Sequence, residues 1–207
     1  MHLTRQEVTM RIPIARKGTK YVARALSSKD NSVPLVIAVR DMLKLARTAK
    51  EVQKMIYEKM LKINGREAKD YRESICLFNL LEAGKTYALA LDAHGRFIFE
   101  EPKNKTERPC KVINKKLLSK KKIQLNLHDG TNILASNEIK TGDTVYLSLD
   151  GKLKSHVKLE KGKPCFVISG KYSGMKGKVE KVDEKGVHVH LENKIETVLP
   201  KGSVMVL

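Results

Sequence analysis

The sequence predicts an α+β, multidomain chain, with a basic helical module near the start, a β-rich middle and a small barrel at the end. Three observations carry this prediction. Apolar residues recur at three- and four-residue steps between Leu35 and Glu58, the spacing of helices that bury one stripe. From Thr86 the period switches to two, the spacing of half-buried strands. Across 207 residues Trp is absent and aromatics make up 5%, so the 41% hydrophobic content suits several small cores better than one large one. The expected divisions are a basic arm at 1–32, a helix–helix–hairpin module at 33–84, a β-rich domain at 85–158 and the barrel at 159–207.

Charge narrows the class of partner. Lys and Arg number 41 against 23 Asp and Glu, a formal +18. Self-repulsion of that size destabilises a compact state unless a polyanion neutralises it. Nucleic acid fits best, because each neutralised phosphate also releases a condensed counterion. An anionic membrane surface would call for a lipidation signal or a basic amphipathic anchor, and the sequence offers neither. No apolar run approaches the roughly 18 residues of a spanning helix. The opening stretch MHLTRQEVTMRIPIARKG lacks the apolar core of a signal peptide, so a cytoplasmic protein is expected. Cys76, Cys110 and Cys165 stand far apart and form no CxxC, so they read as ordinary thiols, with no disulfide, metal or cofactor.

Residues 1–32 have little hydrophobic periodicity. They carry Arg5, Arg11, Arg16, Lys17, Lys20, Arg24 and Lys29 against Glu7 and Asp30, and Pro13 and Gly18 interrupt any helix. Two readings stay open: a disordered basic tail, or an arm that orders by lying along RNA. Tyr21 and Val22 suggest a short extended piece.

A first helix is expected over Leu35–Ala46, burying Val36, Val39, Leu43 and Ala46. Arg40, Lys44 and Arg47 fall at i, i+4 and i+7 and so share another face, with Asp41 off that arc. Thr48 breaks this helix and caps the next, and Glu51 three residues on completes a capping box. The second helix runs to about Glu58, burying Ala49, Val52 and Ile56 and presenting Lys50 and Lys54. A merely solvated face would mix charge signs; this one is expected to face a ligand. Asn64-Gly65 then marks a hairpin, because a type I′ turn needs positive φ at both central residues. Its strands, about Met60–Ile63 and Arg66–Lys69, alternate Lys62, Arg66 and Lys69 with apolar positions. Ile75–Leu81 would supply the closing strand.

TYALALDAHGRFIFEE reads as a hairpin turning at Asp92-Ala93-His94-Gly95, with His94 a turn residue. Residues 103–122 carry Lys103, Lys105, Arg108, Lys111, Lys115, Lys116, Lys120, Lys121 and Lys122 against Glu107 alone. With little core-forming power, the stretch reads as a loop or strand edge held against phosphate. A lysine-rich nuclear-targeting signal is the competing interpretation. Another hairpin follows at Ile123–Leu134, turning at Asp129-Gly130, where His128-Asp129 has no plausible nucleophile nearby to support catalysis. Thr144–Leu149 is a strand, with a further turn at Asp150-Gly151. His156, His188 and His190 remain; His188 and His190 share a strand face, but no third ligand accompanies them in sequence.

Strands at Pro164–Ser169, Gly177–Val182, Val187–Leu191, Glu196–Leu199 and Val204–Leu207 read as a small five-stranded SH3-like barrel. Gly170, Gly174 and Gly177 would let a loop turn sharply and approach a ligand closely, with Lys171, Lys176 and Lys178 supplying charge. GxxxGKS is absent and no helix follows, which argues against a nucleotide-binding P-loop.

Two motifs carry a family resemblance. TAKEVQKMIYEKMLKINGREAKD resembles the S-four RNA-binding domain, an αL-type module of helix pair and hairpin, and GKPCFVISGKYSGMKGKVEKV resembles the KOW motif of ribosomal proteins and elongation factors. In this order, with a β-rich segment between them, they resemble the S-four-e family of archaeal and eukaryotic small-subunit ribosomal proteins. HLTR at 2–5, RKGTKYVARAL at 16–26, VPLVIAVRDMLKLA at 33–46, KIQLNLHDGTNIL at 122–134 and TGDTVYLSLDGKLKSHVKLEKG at 141–162 extend the likeness over nearly the whole chain. SICLFNLLE at 74–82 stands where the family often has a Gly-Phe-Met-Asp-Val run, and Lys171 stands where it often has a second glycine. The sequence stops after the barrel without a basic extension, which suggests an archaeal-type member.

The resemblance implies a non-catalytic protein of the small ribosomal subunit. Its partners would be small-subunit rRNA and neighbouring ribosomal proteins, with no membrane and no small-molecule substrate. The residues expected to carry binding are Arg5, Arg11, Arg16, Lys17, Lys20, Arg40, Lys44, Arg47, Lys50, Lys54, Lys62, Arg66, Lys69, Lys115, Lys116, Lys120, Lys121, Lys171, Lys176 and Lys178. S-four-type modules also occur on RNA-modifying enzymes and a tRNA synthetase, but 83–207 offers no nucleophile–base pairing or nucleotide motif. A transcription-elongation factor using its KOW domain would lead one to expect an α/β polymerase-binding domain, which the sequence does not show.

Overall fold

The computed structural model describes residues 2–102, 104–118, 123–135, 138–184, 186–193 and 195–207. The chain forms two compact units, one of residues 1–90 with 96–105 and the other of 91–95 with 106–207. Both are dominated by antiparallel strands, so the architecture is mostly β, with less helix than the expected α+β class.

In the first unit, β1 (His2–Thr4) pairs with β2 (Tyr21–Ala23), and β3 (Ser32–Pro34) leads into α1 (Leu35–Ile37). Within residues 2–32, Val8, Ile12, Val22 and Ala25 are buried. The first helix is shorter than its periodicity predicts. After one α turn it widens into a π turn at Ala38–Met42, closed by the Leu43 N–H on the Ala38 carbonyl at 2.9 Å. It then stops, because Lys44 sits in the left-handed region at φ 56°. Leu35 to Val39 are all buried, so this is a core segment rather than a one-sided helix.

α2 (Ala49–Tyr57) begins as predicted at Thr48, whose side chain accepts the Glu51 N–H at 3.2 Å. The Glu51 carboxylate reaches one residue further back than expected, to the Arg47 N–H at 2.7 Å. β4 (Leu61–Ile63) and β5 (Arg66–Glu67) form the hairpin, with Asn64 and Gly65 at φ 51° and 79°, as a type I′ turn requires. The predicted closing strand is instead two: β6 (Ser74–Cys76) pairs with β3, and β7 (Leu80–Ala83) pairs with β4. Phe78, at φ 62°, breaks the path between them. β8 (Lys85–Leu91) and β9 (Phe97–Glu100) complete the sheet order β5-β4-β7-β8-β9. Leu35, Ile37, Leu61, Ile75, Leu80, Leu89 and Phe97 are fully buried.

The second unit holds two five-stranded sheets. The first contains β10 (Glu107–Leu117), β11 (Ile123–Leu127), β12 (Asn132–Ala135), β13 (Thr144–Ser148) and β14 (Leu153–Val157) in the order β12-β11-β10-β13-β14. Its core gathers Cys110, Val112, Ile123, Leu125, Leu127, Ile139, Val145 and Leu147. Of the lysine-rich stretch expected at a loop or edge, Glu107–Leu117 is thus the central strand. β10 pairs with β13 through Glu107–Lys111 and with β11 from Val112 onward, shifting register at Ile113. The second sheet is β15 (Pro164–Val167), β16 (Lys176–Val182), β17 (Val187–Leu191), β18 (Glu196–Leu199) and β19 (Val204–Val206), in the order β18-β17-β16-β15-β19. These five strands fall where alternation places them, because Val179, Val187, Val189, Leu191 and Val204 all turn to one core. Cys76, Cys110 and Cys165 are buried thiols, and burial pushes the Cys165 thiol up to about 11.

Candidate nucleic-acid interface

The predicted basic residues divide into those the chain uses itself and those it leaves at the surface. Arg5 belongs to the first group. Its guanidinium donates to the carbonyl oxygens of Thr19 at 2.7 Å and Ala15 at 2.5 Å, and to Thr19 Oγ1 at 2.9 Å. It thereby ties the 13–19 loop to β1. Gly18 lies against that guanidinium at φ 142°, where an added Cβ would come within 3.1 Å of it. Arg11 donates to Asn31 Oδ1 at 3.0 Å, and Arg16 to the Val8 carbonyl at 3.1 Å and to the Met10 sulfur. Lys17 and Lys20 are exposed, Lys20 with its ammonium 5.4 Å from the Tyr21 ring centre.

The expected Arg40–Lys44–Arg47 arc does not form. The π turn changes the helical phase, and the left-handed Lys44 ends the helix before Arg47 is reached. Arg40 is half-buried and forks onto Asp41 at 3.0 and 2.7 Å, which holds its pKa above the ordinary value. Asp41, off the arc in the sequence reading, is therefore its partner. Lys44, Arg47 and Lys50 remain exposed, as does Lys54, whose ammonium stands 3.8 Å from Glu58 one turn on.

On the hairpin, Lys62 and Lys69 are exposed, and Arg66 donates to Glu73 at 2.7 Å. Glu73, only 11% exposed in its side chain, also accepts the Lys69 N–H at 2.7 Å and so fixes the hairpin base. Tyr57, at the end of α2, is 88% exposed near this basic group in sequence. Sequence reasoning passes over it, although helical spacing already sets it off the Val52–Ile56 stripe.

In the second unit the 103–122 cluster splits. Arg108 and Lys111 are buried, not held toward a ligand. Arg108 pairs with Asp129 and reaches Thr131 Oγ1 at 3.3 Å. Burial alone would raise the Asp129 pKa; the Arg108 charge and the Thr131 N–H and hydroxyl outweigh it and hold the carboxyl below its usual range. Lys111 donates to the carbonyl oxygens of Lys201, Val204 and, at 2.9 Å, Gly202. Lys115 turns back to the Ile139 carbonyl at 3.0 Å, while Lys116 is exposed. Lys120 and Lys121 lie outside the described residues.

The histidine readings change in one respect. His188 pairs with Asp183 at 3.1 Å, while His190 finds Glu180 at 3.8 Å and Glu196 at 3.6 Å on the strands either side. Strand pairing supplies acidic neighbours that sequence spacing could not show. His156 binds the buried Asp143 at 2.8 Å, and Asp143 also accepts the N–H groups of Lys140 and Leu159. His128 Nδ1 accepts the Lys111 N–H at 3.1 Å. Each has a structural partner.

In the last sheet Lys171, Lys176 and Lys178 are exposed. The glycines beside them answer mainly to the chain itself. A Cβ on Gly174, at φ 92°, would run into the Asp92 carbonyl oxygen, and one on Gly177 would lie 2.5 Å from that of His190. Gly170, at φ 95°, opens on free space.

Among the described residues no helix is long and apolar enough to cross a membrane. Residues 83–153 match the family described as ribosomal family S4e, and residues 161–192 match the KOW motif. The chain is similar to the small ribosomal subunit protein eS4 of Methanocella arvoryzae, 34% identical over 97% of this chain and 88% of that protein. It is also similar to the eS4 protein of Archaeoglobus fulgidus, 33% identical over 87% of this chain and 79% of that one. In fold it resembles the crystal structure of 30S ribosomal protein S4e from Thermoplasma acidophilum, with TM-score 0.73 and 24% identity over 86% of this chain and 96% of that one.

Proposed function

The chain belongs to ribosomal family S4e, and on that footing we propose that it is a structural constituent of the small ribosomal subunit that binds rRNA. The observation that carries this is similarity at 34% identity along 97% of the chain to a protein named for that subunit. As a member of that family it is a structural component, not an enzyme. Its workplace is the ribosome, in the cytoplasm, and its partners are rRNA and adjoining ribosomal proteins.

The exposed cations are the means of attachment. Lys44, Arg47, Lys50, Lys54, Lys62 and Lys69 in the first unit, and Lys116, Lys171, Lys176 and Lys178 in the second, contact phosphates and recognise folded RNA by shape. Lys17 and Lys20 extend this along the 1–32 arm. α2 with the Asn64-Gly65 hairpin forms the S-four-type αL module within 33–84, 85–158 is a central β-rich domain, and the five strands within 159–207 form the SH3-like KOW barrel. The αL assignment is supported by the order helix, helix, type I′ hairpin; the barrel assignment is supported by the KOW match over 161–192 and the five-stranded order.

Sucrose-gradient sedimentation of tagged chain in cells tests the reading. The chain is expected with free small subunits and with whole ribosomes, released by high salt. Exclusive recovery with RNA polymerase would overturn it in favour of an elongation factor working through its KOW motif.

A further inference from the structure

The first unit contains a recess of about 420 Å³, lined on one side by the loop that Arg5 holds in place. That volume falls within the roughly 300–1,000 Å³ of small-ligand sites. Three cationic residues line it, Arg5, Lys17 and Arg40, together with Tyr21, Tyr71 and Asp41. Ala49 brings the first residue of α2 to the rim.

Each component suits one part of a nucleotide. Tyr21 is 48% exposed, and bases stack on such rings whatever their identity. The His2 ring packs tilted against Tyr21 with centroids 4.1 Å apart and the Lys20 ammonium lies 5.4 Å from the ring centre, so a base would take up the part of the ring these leave uncovered. The Tyr71 ring lies 5.5 Å from the Arg72 guanidinium. Arg5 is immobilised by three hydrogen bonds, so its charge is fixed at the recess before any ligand arrives. Arg40 occupies one lone pair on each Asp41 oxygen, and a carboxylate with about four acceptor sites keeps capacity for base N–H groups.

We propose that this recess receives one unpaired nucleotide everted from the bound RNA, its base against the tyrosines and its phosphate toward Lys17 and Arg5. This deepens the rRNA-binding reading and rests on it. An everted base gives the chain a fixed register on RNA that phosphate contacts alone leave free to slide.

The test uses the full chain with two probes: a short single-stranded oligoribonucleotide of mixed sequence and a duplex of the same length. Tyr21→Ala is expected to weaken single-strand binding by about 5- to 100-fold. Duplex binding and the slope of log affinity against log salt stay unchanged, since a stacking contact releases no counterion. Tyr21→Phe retains wild-type affinity. Tyr71→Ala provides the second probe of the same wall, with its thermal midpoint measured in parallel. If the wild type binds duplex and cosediments with subunits while Tyr21→Ala binds single strands normally, the recess proposal fails and the ribosomal reading stands. If the wild type binds neither RNA, the recess proposal fails; if it also does not cosediment with subunits, the ribosomal reading fails with it. Equal losses on single strand and duplex would also overturn the recess, because they mark a general binding defect.

Discussion

Lys111 sits in the central strand of its sheet with only 4% of its surface exposed, and its ammonium meets the carbonyl oxygens of Lys201, Gly202 and Val204. Burial pushes its pKa down to about 8, so the three-donor charged form persists at neutral pH, where the carbonyls need it. An unfolded lysine titrates near 10.4. Between these values the unfolded chain holds the proton more tightly, so this residue makes stability rise with pH; the penalty is fully present below about 8 and gone above about 10.4. Relative to Lys111→Met, the wild type is expected to gain about 1–2 kcal/mol between pH 7 and 9.5, read from urea unfolding. At pH 7 the same substitution leaves carbonyls without donors and costs about 1–3 kcal/mol. Parallel pH profiles for the two chains would show that Lys111 does not titrate in this range. Sequence alone groups this residue with the phosphate-facing lysines, since nothing in CKVI distinguishes an outward lysine from one that crosses to a turn far along the chain.

At the scale of an element, α2 and its hairpin present the densest exposed charge of the first unit. Arg47, Lys50 and Lys54 are exposed, and the helix is anchored separately by Val52, which is fully buried, and by the Thr48 cap. Binding and folding are thus carried by different side chains. Reversing all three to Glu is expected to weaken RNA binding and to lower the salt slope by roughly 0.9 for each phosphate no longer neutralised. The unfolding free energy should move by less than about 1 kcal/mol, as exposed substitutions do. An unchanged slope would place the RNA on another face. Arg40 behaves differently: it is half-buried on Asp41, so reversing it puts two carboxylates together and damages the fold first. This is where periodicity misleads. A spacing of i, i+4, i+7 defines a face only while the helix continues, and the π turn at Ala38–Met42 ends that condition.

For the whole molecule, the +18 charge acts in opposite directions on the free and the bound chain. Alone, the like charges repel over about 10 Å or more at low ionic strength, and added salt screens them. Bound, the same charges hold phosphates that salt releases. The thermal midpoint of the free chain is therefore expected to rise as sodium chloride goes from about 10 to about 150 mM, while RNA affinity falls over the same range. Both are read from one titration series, by thermal melting and by filter binding. A midpoint that falls with salt would mean that internal pairs such as Arg66–Glu73 and Arg72–Asp70 outweigh the net repulsion.

Features under local chemical control are legible in the sequence. The type I′ turn at Asn64-Gly65, the cap at Thr48, the hairpin at Asp129-Gly130 and all five strands of the last sheet can be placed from it, because turns, caps and alternation are decided within a few residues. The class of partner is legible too, since net charge needs no fold. Which cations are surface and which are interior emerges only once the chain is folded: Arg5, Arg40, Arg108 and Lys111 look like Lys50 or Lys116 in sequence, yet each is held by groups the chain itself supplies. Folding also makes Glu107–Leu117 of the lysine-rich stretch a central strand and gathers Tyr21, Tyr71 and Asp41 around one recess. The physical reason is that a long cationic side chain can bury its stem and deliver its charge to a carbonyl or carboxylate well away from its own Cα. For Arg5, Arg108 and Lys111 that partner lies at least ten residues off and is brought close only by the fold, while for Arg40 the end of the helix turns it onto its neighbour Asp41.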